Sequence, residues 1–145
     1  MQSLSITSSA FKNSELIPKK YTGDGEDINP PINIKGIPDG TKSLVLIVDD
    51  PDAPMGTWIH WVMWNIQTRN RIDEDSAPGA QGRNSWDKNS YGGPDPPSGT
   101  HRYFFKVYAL DTTLNLEKTA TKNDVEKAMK EHILAKGELV GLYHR

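Results

Sequence analysis

Three stretches of the chain carry hydrophobic residues with little interruption. Residues 43–49 are apolar and rich in β-branched side chains, and residues 58–66 and 103–110 follow a similar pattern. An apolar run of this length is typical of a strand that is covered on both faces. Residues 4–11 and 138–143 are shorter candidates for strands near the two ends of the chain. The pattern therefore predicts a mainly β protein, with a β-sandwich as the expected architecture.

One segment near the C-terminal end has helical periodicity instead. Residues 122–136 follow Thr121, a suitable N-cap, with Asp124 three positions later, and Gly137 offers a stop. The residues expected on its apolar face are Val125, Ala128, Met129, His132 and Ile133. We therefore expect one clear helix at the periphery of a single domain that spans residues 1–145.

The connection between the second and third apolar runs is unusually long. Residues 67–100 are rich in Gly, Pro, Asn, Asp and Ser. A loop of this length inside a compact domain is usually either functional or disordered. Because the segment also contains Trp86 and Tyr91, we expect it to pack against the body of the protein.

Composition and charge exclude several classes of function. The 145 residues are 35% hydrophobic and 25% charged, with 17 basic residues against 19 acidic ones. This balance gives no excess of positive charge for nucleic acid or an anionic membrane, so neither is an expected partner. The chain has no cysteine, which excludes disulfides, thiolate catalysis and cysteine zinc sites. Since its start has no signal-peptide pattern and no apolar run approaches the roughly 20 residues of a membrane span, we expect a cytoplasmic protein.

Polar side chains interrupt the apolar runs near their ends. Asp50 closes the first run, His60 lies within the second, and His101 and Tyr103 open the third. Side chains two positions apart share one face of a strand, so each polar group continues an apolar stripe. Such groups are costly to bury unless they bond to each other or to a ligand. Histidines held by an aspartate, with a tyrosine hydroxyl beside them, indicate a small pocket for an anion such as phosphate or a carboxylate.

Two other kinds of chemistry use the same residue types. Asp50, His60 and His101 are a candidate two-histidine, one-carboxylate metal site, although no closely spaced histidine pair accompanies them. A Ser-His-Asp arrangement needs a serine at a sharp turn, but no G-x-S-x-G motif occurs, and Ser85 and Ser98 lie in loops. We therefore expect neither a metal nor a cofactor.

Several motifs together resemble the phosphatidylethanolamine-binding protein family, and in particular its short bacterial and archaeal branch, often called Raf-kinase-inhibitor-like. The motifs are Asp50-Pro51-Asp52-Ala53-Pro54, Trp58-Ile59-His60-Trp61 and the stretch from Tyr91-Gly92-Gly93-Pro94 to His101-Arg102-Tyr103. The resemblance runs from about residue 3 to residue 143. It implies a β-sandwich of two antiparallel sheets with one or two peripheral helices.

The resemblance also implies a pocket at one end of the sandwich. Its implied residues are Asp50, Trp58, His60, Pro97, His101 and Tyr103. The motif neighbours Asp52, Pro54 and Arg102 complete the set of residues that we predict to bind the ligand. Relatives bind phosphate-bearing headgroups or similar small anions, act as binding or inhibitory proteins rather than enzymes, and in the short branch often form homodimers.

Two departures from the family pattern affect this expectation. Asp95 stands where relatives commonly carry a small or neutral residue, and its carboxylate opposes an anion unless it points outward or pairs with a base such as Arg102. The chain also ends soon after the predicted helix, without the extension that partly covers the pocket in longer relatives, so we expect a more open site.

Three functional hypotheses follow. The first is a non-enzymatic protein that binds a small anion or phospho-headgroup and regulates or inhibits another protein. The second is a serine protease inhibitor that acts through an exposed part of residues 67–100, where Arg69, Arg71 and Trp86 supply basic and bulky side chains. The third is a metal-dependent hydrolase built on the same aspartate and histidines.

Overall fold

The computed structural model describes residues 2–145. In that span the chain forms ten strands, one α-helix and a turn of 3-10 helix at Lys19–Tyr21. The strands are β1 (Gln2–Ser3), β2 (Ser5–Thr7), β3 (Glu15–Leu16), β4 (Ile32–Lys35), β5 (Ser43–Asp50), β6 (Trp58–Ile66), β7 (Arg71–Ile72), β8 (Ala80–Gln81), β9 (Thr100–Leu110) and β10 (Ile133–His144). The helix is α1 (Lys122–Met129).

The strands form two sheets, which confirms the predicted mainly β, two-sheet fold. The larger sheet has the order β1-β10-β9-β5-β6-β8, with β3 also paired to β10, and the smaller has the order β2-β4-β7. The long strands β10, β9, β5 and β6 are antiparallel neighbours. The short strands β1 and β3 instead pair with β10 in parallel, so the larger sheet is mixed at that edge.

Strand β5 lies at the centre of the molecule, and all eight of its residues are buried. Because side chains alternate between the two faces of a strand, Leu46 and Val48 pack into the core between the two sheets. Val45 and Ile47 point the other way, into a second apolar cluster that includes residues of α1. The prediction that this strand is covered on both faces is confirmed.

The predicted helix begins where expected but ends earlier. The backbone N–H of Thr121 donates to the Asp124 carboxylate at 2.9 Å, which is half of the predicted capping box. The helix ends at Met129, and Glu131 then adopts a φ of 72°. The expectation of a helix over residues 122–136 is therefore wrong, since the chain from Ile133 onward pairs with β9 instead. At eight residues α1 is too short to cross a bilayer, and no other helix in residues 2–145 has the length and apolar character to do so.

Two predicted strand boundaries are also wrong, at the ends of the chain. Residues 4–11 were expected to form one strand, but only Ser5–Thr7 does so, because its partner β4 is four residues long and offers no ladder to residues 8–11. The last strand is longer than the predicted residues 138–143, because β9 gives it a partner along almost its entire length.

Candidate functional site

Three strand ends of the larger sheet meet on one side of the molecule. Strand β5 ends at Asp50, while its antiparallel neighbours β6 and β9 begin at Trp58 and Thr100. Because antiparallel neighbours run in opposite directions, the end of β5 lies beside the beginnings of the other two. Asp50 is paired directly with Trp58. The strand order β9-β5-β6 thus brings together side chains that are more than 50 residues apart in sequence.

A cavity of about 230 Å³ opens at this meeting point. The predicted site residues that line it are Asp50, Pro54, Trp58, His60, Pro97, His101 and Tyr103. The structure also adds wall residues that sequence reasoning did not include in the site, namely Ala53, Met55, Trp86, Asp95 and Pro96. The side chains at its base are almost completely buried, whereas Met55 at its mouth is 96% exposed.

Asp50 and His101 form a buried pair at the base of the cavity. One carboxylate oxygen of Asp50 lies 2.6 Å from Nδ1 of His101, and the other accepts the backbone N–H of Asp52 at 2.8 Å. A carboxylate only accepts hydrogen bonds, so Nδ1 of His101 carries the proton. Within residues 2–145 no hydrogen bond engages the other ring nitrogen, Nε2. This nitrogen remains available to a ligand.

His60 is held in a comparable way by the backbone. Its Nδ1 lies 2.7 Å from the carbonyl oxygen of Gly92, which can only accept, so this nitrogen also carries a proton. The imidazole packs edge-on against Trp86 and Tyr103, with ring centroids 5.0 and 5.2 Å apart. Burial lowers the pKa of His60 below its ordinary value of 6.5, because a charged imidazole would lose its hydration there. At neutral pH its Nε2 therefore carries a lone pair.

Tyr103 supplies a hydroxyl that has no partner in the described part of the chain. The residue is 1% exposed, and its hydroxyl oxygen is buried without a hydrogen bond. Burial, together with the negative charge of Asp50 and Asp95, raises the pKa of this hydroxyl, which therefore remains a protonated donor. Buried hydroxyl groups are rarely left unpaired in native proteins, so this one indicates a place for a ligand or a water.

Asp52 and Arg102 lie outside the cavity lining. The Asp52 carboxylate accepts three hydrogen bonds from Arg102, one from its backbone N–H and two from its guanidinium, at 2.8 to 2.9 Å. These bonds lower the pKa of Asp52 to about 2. The pair joins the loop after β5 to the beginning of β9, so its role is to hold the two sides of the cavity together.

Asp95 does not pair with Arg102, which was one of the two expected arrangements. Its carboxylate accepts a hydrogen bond from Arg145 at 2.8 Å, and Arg145 also contacts Asp24. Because Arg102 is already bound to Asp52, it is not available to Asp95. The Asp95 carboxylate thus lines the cavity, and Arg145, which lies outside the lining, compensates only part of the surrounding negative charge.

The long connection of residues 67–100 packs against the body of the protein, as its two large aromatics predicted. Trp86 lies edge-on to Trp58, with ring centroids 5.5 Å apart, and the Tyr91 hydroxyl donates to the carbonyl of Tyr21 at 2.7 Å. A Cβ atom on Gly92 would lie 2.3 Å from the Trp86 ring, so the glycine allows this close contact. The signal that could have identified Trp86 as a wall residue was a bulky aromatic in a Gly- and Pro-rich segment.

The two alternative chemistries gain no support from the geometry. No group of three or more His, Asp and Glu side chains among residues 2–145 is arranged to hold a metal ion. Ser85 accepts the backbone N–H of Ile59 at 2.8 Å, which is a structural contact. His132 pairs with Asp111 at the surface.

Comparison with known sequences agrees with the fold. A family profile described as phosphatidylethanolamine-binding protein matches residues 7–144. A UPF0098 protein of Pyrococcus horikoshii is 53% identical over 149 residues, which cover 95% of this chain and 75% of that protein. A UPF0098 protein of Methanothermobacter thermautotrophicus is 47% identical over 150 residues, which cover 98% of this chain and 99% of that protein.

Two crystal structures have the same architecture. One, a putative phosphatidylethanolamine-binding protein homologue from Chlamydia trachomatis, superposes with a TM-score of 0.95 at 39% identity, covering 100% of this chain and 99% of that one. The other, E. coli YbcL, superposes with a TM-score of 0.90 at 29% identity, covering 98% of both chains. On the evidence of the profile match, the relatives and the shared architecture, this chain belongs to the phosphatidylethanolamine-binding protein family.

Proposed function

We propose that the protein binds a small anionic ligand in the cavity between His60 and His101, and that it acts by binding rather than by catalysing a reaction. The observation that carries the proposal is the buried Tyr103 hydroxyl, which has no hydrogen-bond partner in residues 2–145. A ligand oxygen that accepts this hydroxyl would satisfy a group whose burial is otherwise uncompensated.

The two imidazoles complete the proposed site. Each has its Nδ1 engaged, by Asp50 in His101 and by the Gly92 carbonyl in His60, and each therefore presents Nε2. An anion needs a donor at that nitrogen, which requires the imidazolium form. The Asp50 carboxylate lies 2.6 Å from the His101 ring, whereas burial opposes a positive charge on His60, so we propose His101 as the donor. Anion binding is thus coupled to proton uptake, and affinity falls as the pH rises.

The ligand class at this level includes acetate, inorganic phosphate and phosphate-bearing headgroups. The family description names phosphatidylethanolamine, and we extend it to this chain only as one candidate among such anions. The walls of the cavity, which include Trp58 and Pro97, are apolar and would exclude water from the ligand.

Calorimetry with acetate and inorganic phosphate tests the proposal. We expect both the wild type and His132→Ala to bind, because His132 pairs with Asp111 at the surface and lies outside the cavity. His101→Ala should weaken binding about tenfold or more, the cost of one lost charge-assisted hydrogen bond from the proposed donor. Near-UV circular dichroism of the variant would confirm that it is folded. Absence of binding to the wild type, or equal binding by a folded His101→Ala protein, would contradict the proposal.

We further propose that the protein regulates or inhibits another protein and has no turnover of its own. Serine protease inhibition by residues 67–100 stays a prediction. Trp86 packs against Trp58, and Arg71 lies in β7, which pairs with β4, so neither residue stands on a free, protruding loop. Assays of the purified protein against trypsin-, chymotrypsin- and elastase-like enzymes, and with phosphoester substrates, test these two statements.

A further inference from the structure

The charge around the cavity limits what kind of anion it can accept. Within the described chain no lysine or arginine lines the cavity, whereas the carboxylates of Asp50 and Asp95 both do. The nearest guanidinium groups are already engaged, Arg102 by Asp52 and Arg145 by Asp95 and Asp24. Four carboxylates thus face two guanidinium groups, so the surroundings are negative as long as the two imidazoles are neutral.

The upper part of the cavity is apolar. Met55 is 96% exposed and Trp86 is 38% exposed at its mouth, and Pro54 and Trp58 also contribute to the lining. The polar groups are concentrated at the base, where His60, His101 and Tyr103 are each no more than 6% exposed. A ligand that fills the cavity therefore meets the buried polar groups at one end, and beyond them a lining that is apolar except for the exposed carboxylate of Asp95.

The size of the cavity also exceeds that of a simple ion. At roughly 30 Å³ per water molecule, a volume of about 230 Å³ corresponds to about seven or eight water molecules. Acetate has four non-hydrogen atoms and phosphate has five. A larger body would fill the remaining space and reach the exposed side chains at the mouth.

From these observations we infer that the ligand is a monocarboxylic acid with an apolar body, and that dianions such as phosphate monoesters are discriminated against. This inference rests on the proposed function and narrows its ligand class. A carboxylic acid brings one proton with it, and that proton moves to Nε2 of an imidazole, preferably the His101 ring held by Asp50. The resulting carboxylate accepts from this Nε2–H and from the Tyr103 hydroxyl.

The proton balance explains the discrimination. Uptake of one carboxylate and one proton leaves the net charge of the site unchanged. A dianion that brings one proton adds a negative charge next to Asp50 and Asp95, and no unpaired cation in the lining offsets it. Bringing a second proton would require a charged imidazole at His60 as well, in a position where burial opposes it.

Small ligands that differ only in the apolar body or only in the charged group test the two parts of the inference separately. Calorimetry at pH 7.5 would compare phenylacetate with acetate, phenyl phosphate, inorganic phosphate and phenethylamine. We expect phenylacetate to bind about tenfold more tightly than acetate, because its ring buries apolar surface. It should also bind about tenfold more tightly than phenyl phosphate, which is largely a dianion at this pH. At pH 5, where phenyl phosphate is a monoanion, the second difference should shrink.

A charge variant tests the same inference through the protein. Asp95→Asn removes one lining carboxylate, so it should improve the affinity for phenyl phosphate severalfold more than that for phenylacetate. Asp39→Asn is the matched control, because Asp39 precedes β5 at the strand end opposite the cavity, and it should change neither affinity.

The outcomes distinguish this inference from the proposed function. Equal or tighter binding of phenyl phosphate than of phenylacetate at pH 7.5, or equal binding of acetate and phenylacetate, overturns the inference alone. If none of the four anions binds, or if only phenethylamine binds, the proposal of an anion site fails together with it.

Discussion

Arg102 donates three hydrogen bonds to the carboxylate of Asp52, a residue 50 positions earlier in the chain. Neither side chain lines the cavity, yet the pair connects the loop that follows β5 to the beginning of β9. The residues next to them, Asp50 and His101, form the buried pair at the cavity base. The Arg102–Asp52 pair therefore helps to hold Asp50 and His101 in place.

We expect Asp52→Asn to lower the melting temperature at pH 7 by about 2–4 °C, the effect of a partly exposed ion pair in a domain of this size. The pKa of Asp52 is lowered to about 2 in the folded protein, from an ordinary value of 3.8. A lowered carboxyl pKa contributes stability above 3.8, and this contribution is lost as the pH falls toward 2. The difference between wild type and variant should therefore shrink over that interval, as followed by thermal unfolding.

Asp73→Asn is the control for this experiment. Asp73 pairs with Arg71 through a single contact and is 70% exposed, so its loss should change the melting temperature little. A difference between wild type and Asp52→Asn that is constant from pH 7 to pH 2 would contradict the expected linkage.

His60 should titrate below pH 6.5 in the ligand-free protein. Burial lowers its pKa, whereas in the unfolded chain the imidazole has its ordinary value. On acidification through pH 6.5 the unfolded state thus takes up the proton first, and this group reduces the stability of the fold from there downward. NMR of the imidazole ring protons would measure the pKa directly. A value at or above 6.5 without ligand would contradict the lowering of this pKa by burial.

The parts of the site that lie on strands were predictable from the sequence. Asp50 and His101 interrupt apolar runs at positions where alternation points them toward one face, and the cost of burying them indicated a pocket. The loops carried no periodicity of this kind. Met55 and Trp86 were missed as wall residues because no periodicity determines where a loop side chain lies.

Long-range pairing explains the other errors. The partner of Asp95 is Arg145, and no local pattern relates two residues that are 50 positions apart. The end of the helix was misplaced for a similar reason, since residues 133–136 are compatible with either a helix or a strand. The ladder with β9, which begins at the pair Ile133 and Leu110, decides in favour of the strand.

Gly137 tests this reassignment, because it was expected to end the helix but lies within β10. A Cβ atom at this position would be 2.2 Å from the backbone oxygen of Leu4, where β1 adds to the sheet. We expect Gly137→Ala to lower the free energy of unfolding by roughly 2–3 kcal/mol, since the neighbouring backbone must shift. In Gly40→Ala nothing lies within 4 Å and only the positive φ of 88° is unfavourable, so the loss should be about 1 kcal/mol. Urea denaturation would compare them, and equal losses would argue against the close contact.

Substitution by phenylalanine at Tyr103 and at Tyr91 removes a hydroxyl group in each case, once without and once with a hydrogen-bond partner. The Tyr103 hydroxyl has no partner in the described residues, so Tyr103→Phe should leave the free energy of unfolding unchanged or raise it by up to about 1 kcal/mol. The Tyr91 hydroxyl donates to the Tyr21 carbonyl, so Tyr91→Phe should lower it by about 1 kcal/mol. Anion affinity should fall about tenfold in Tyr103→Phe and stay constant in Tyr91→Phe. Urea denaturation and calorimetry on the two variants measure both quantities. A Tyr103→Phe protein that is less stable but binds acetate normally would mean that this hydroxyl serves the fold and not a ligand.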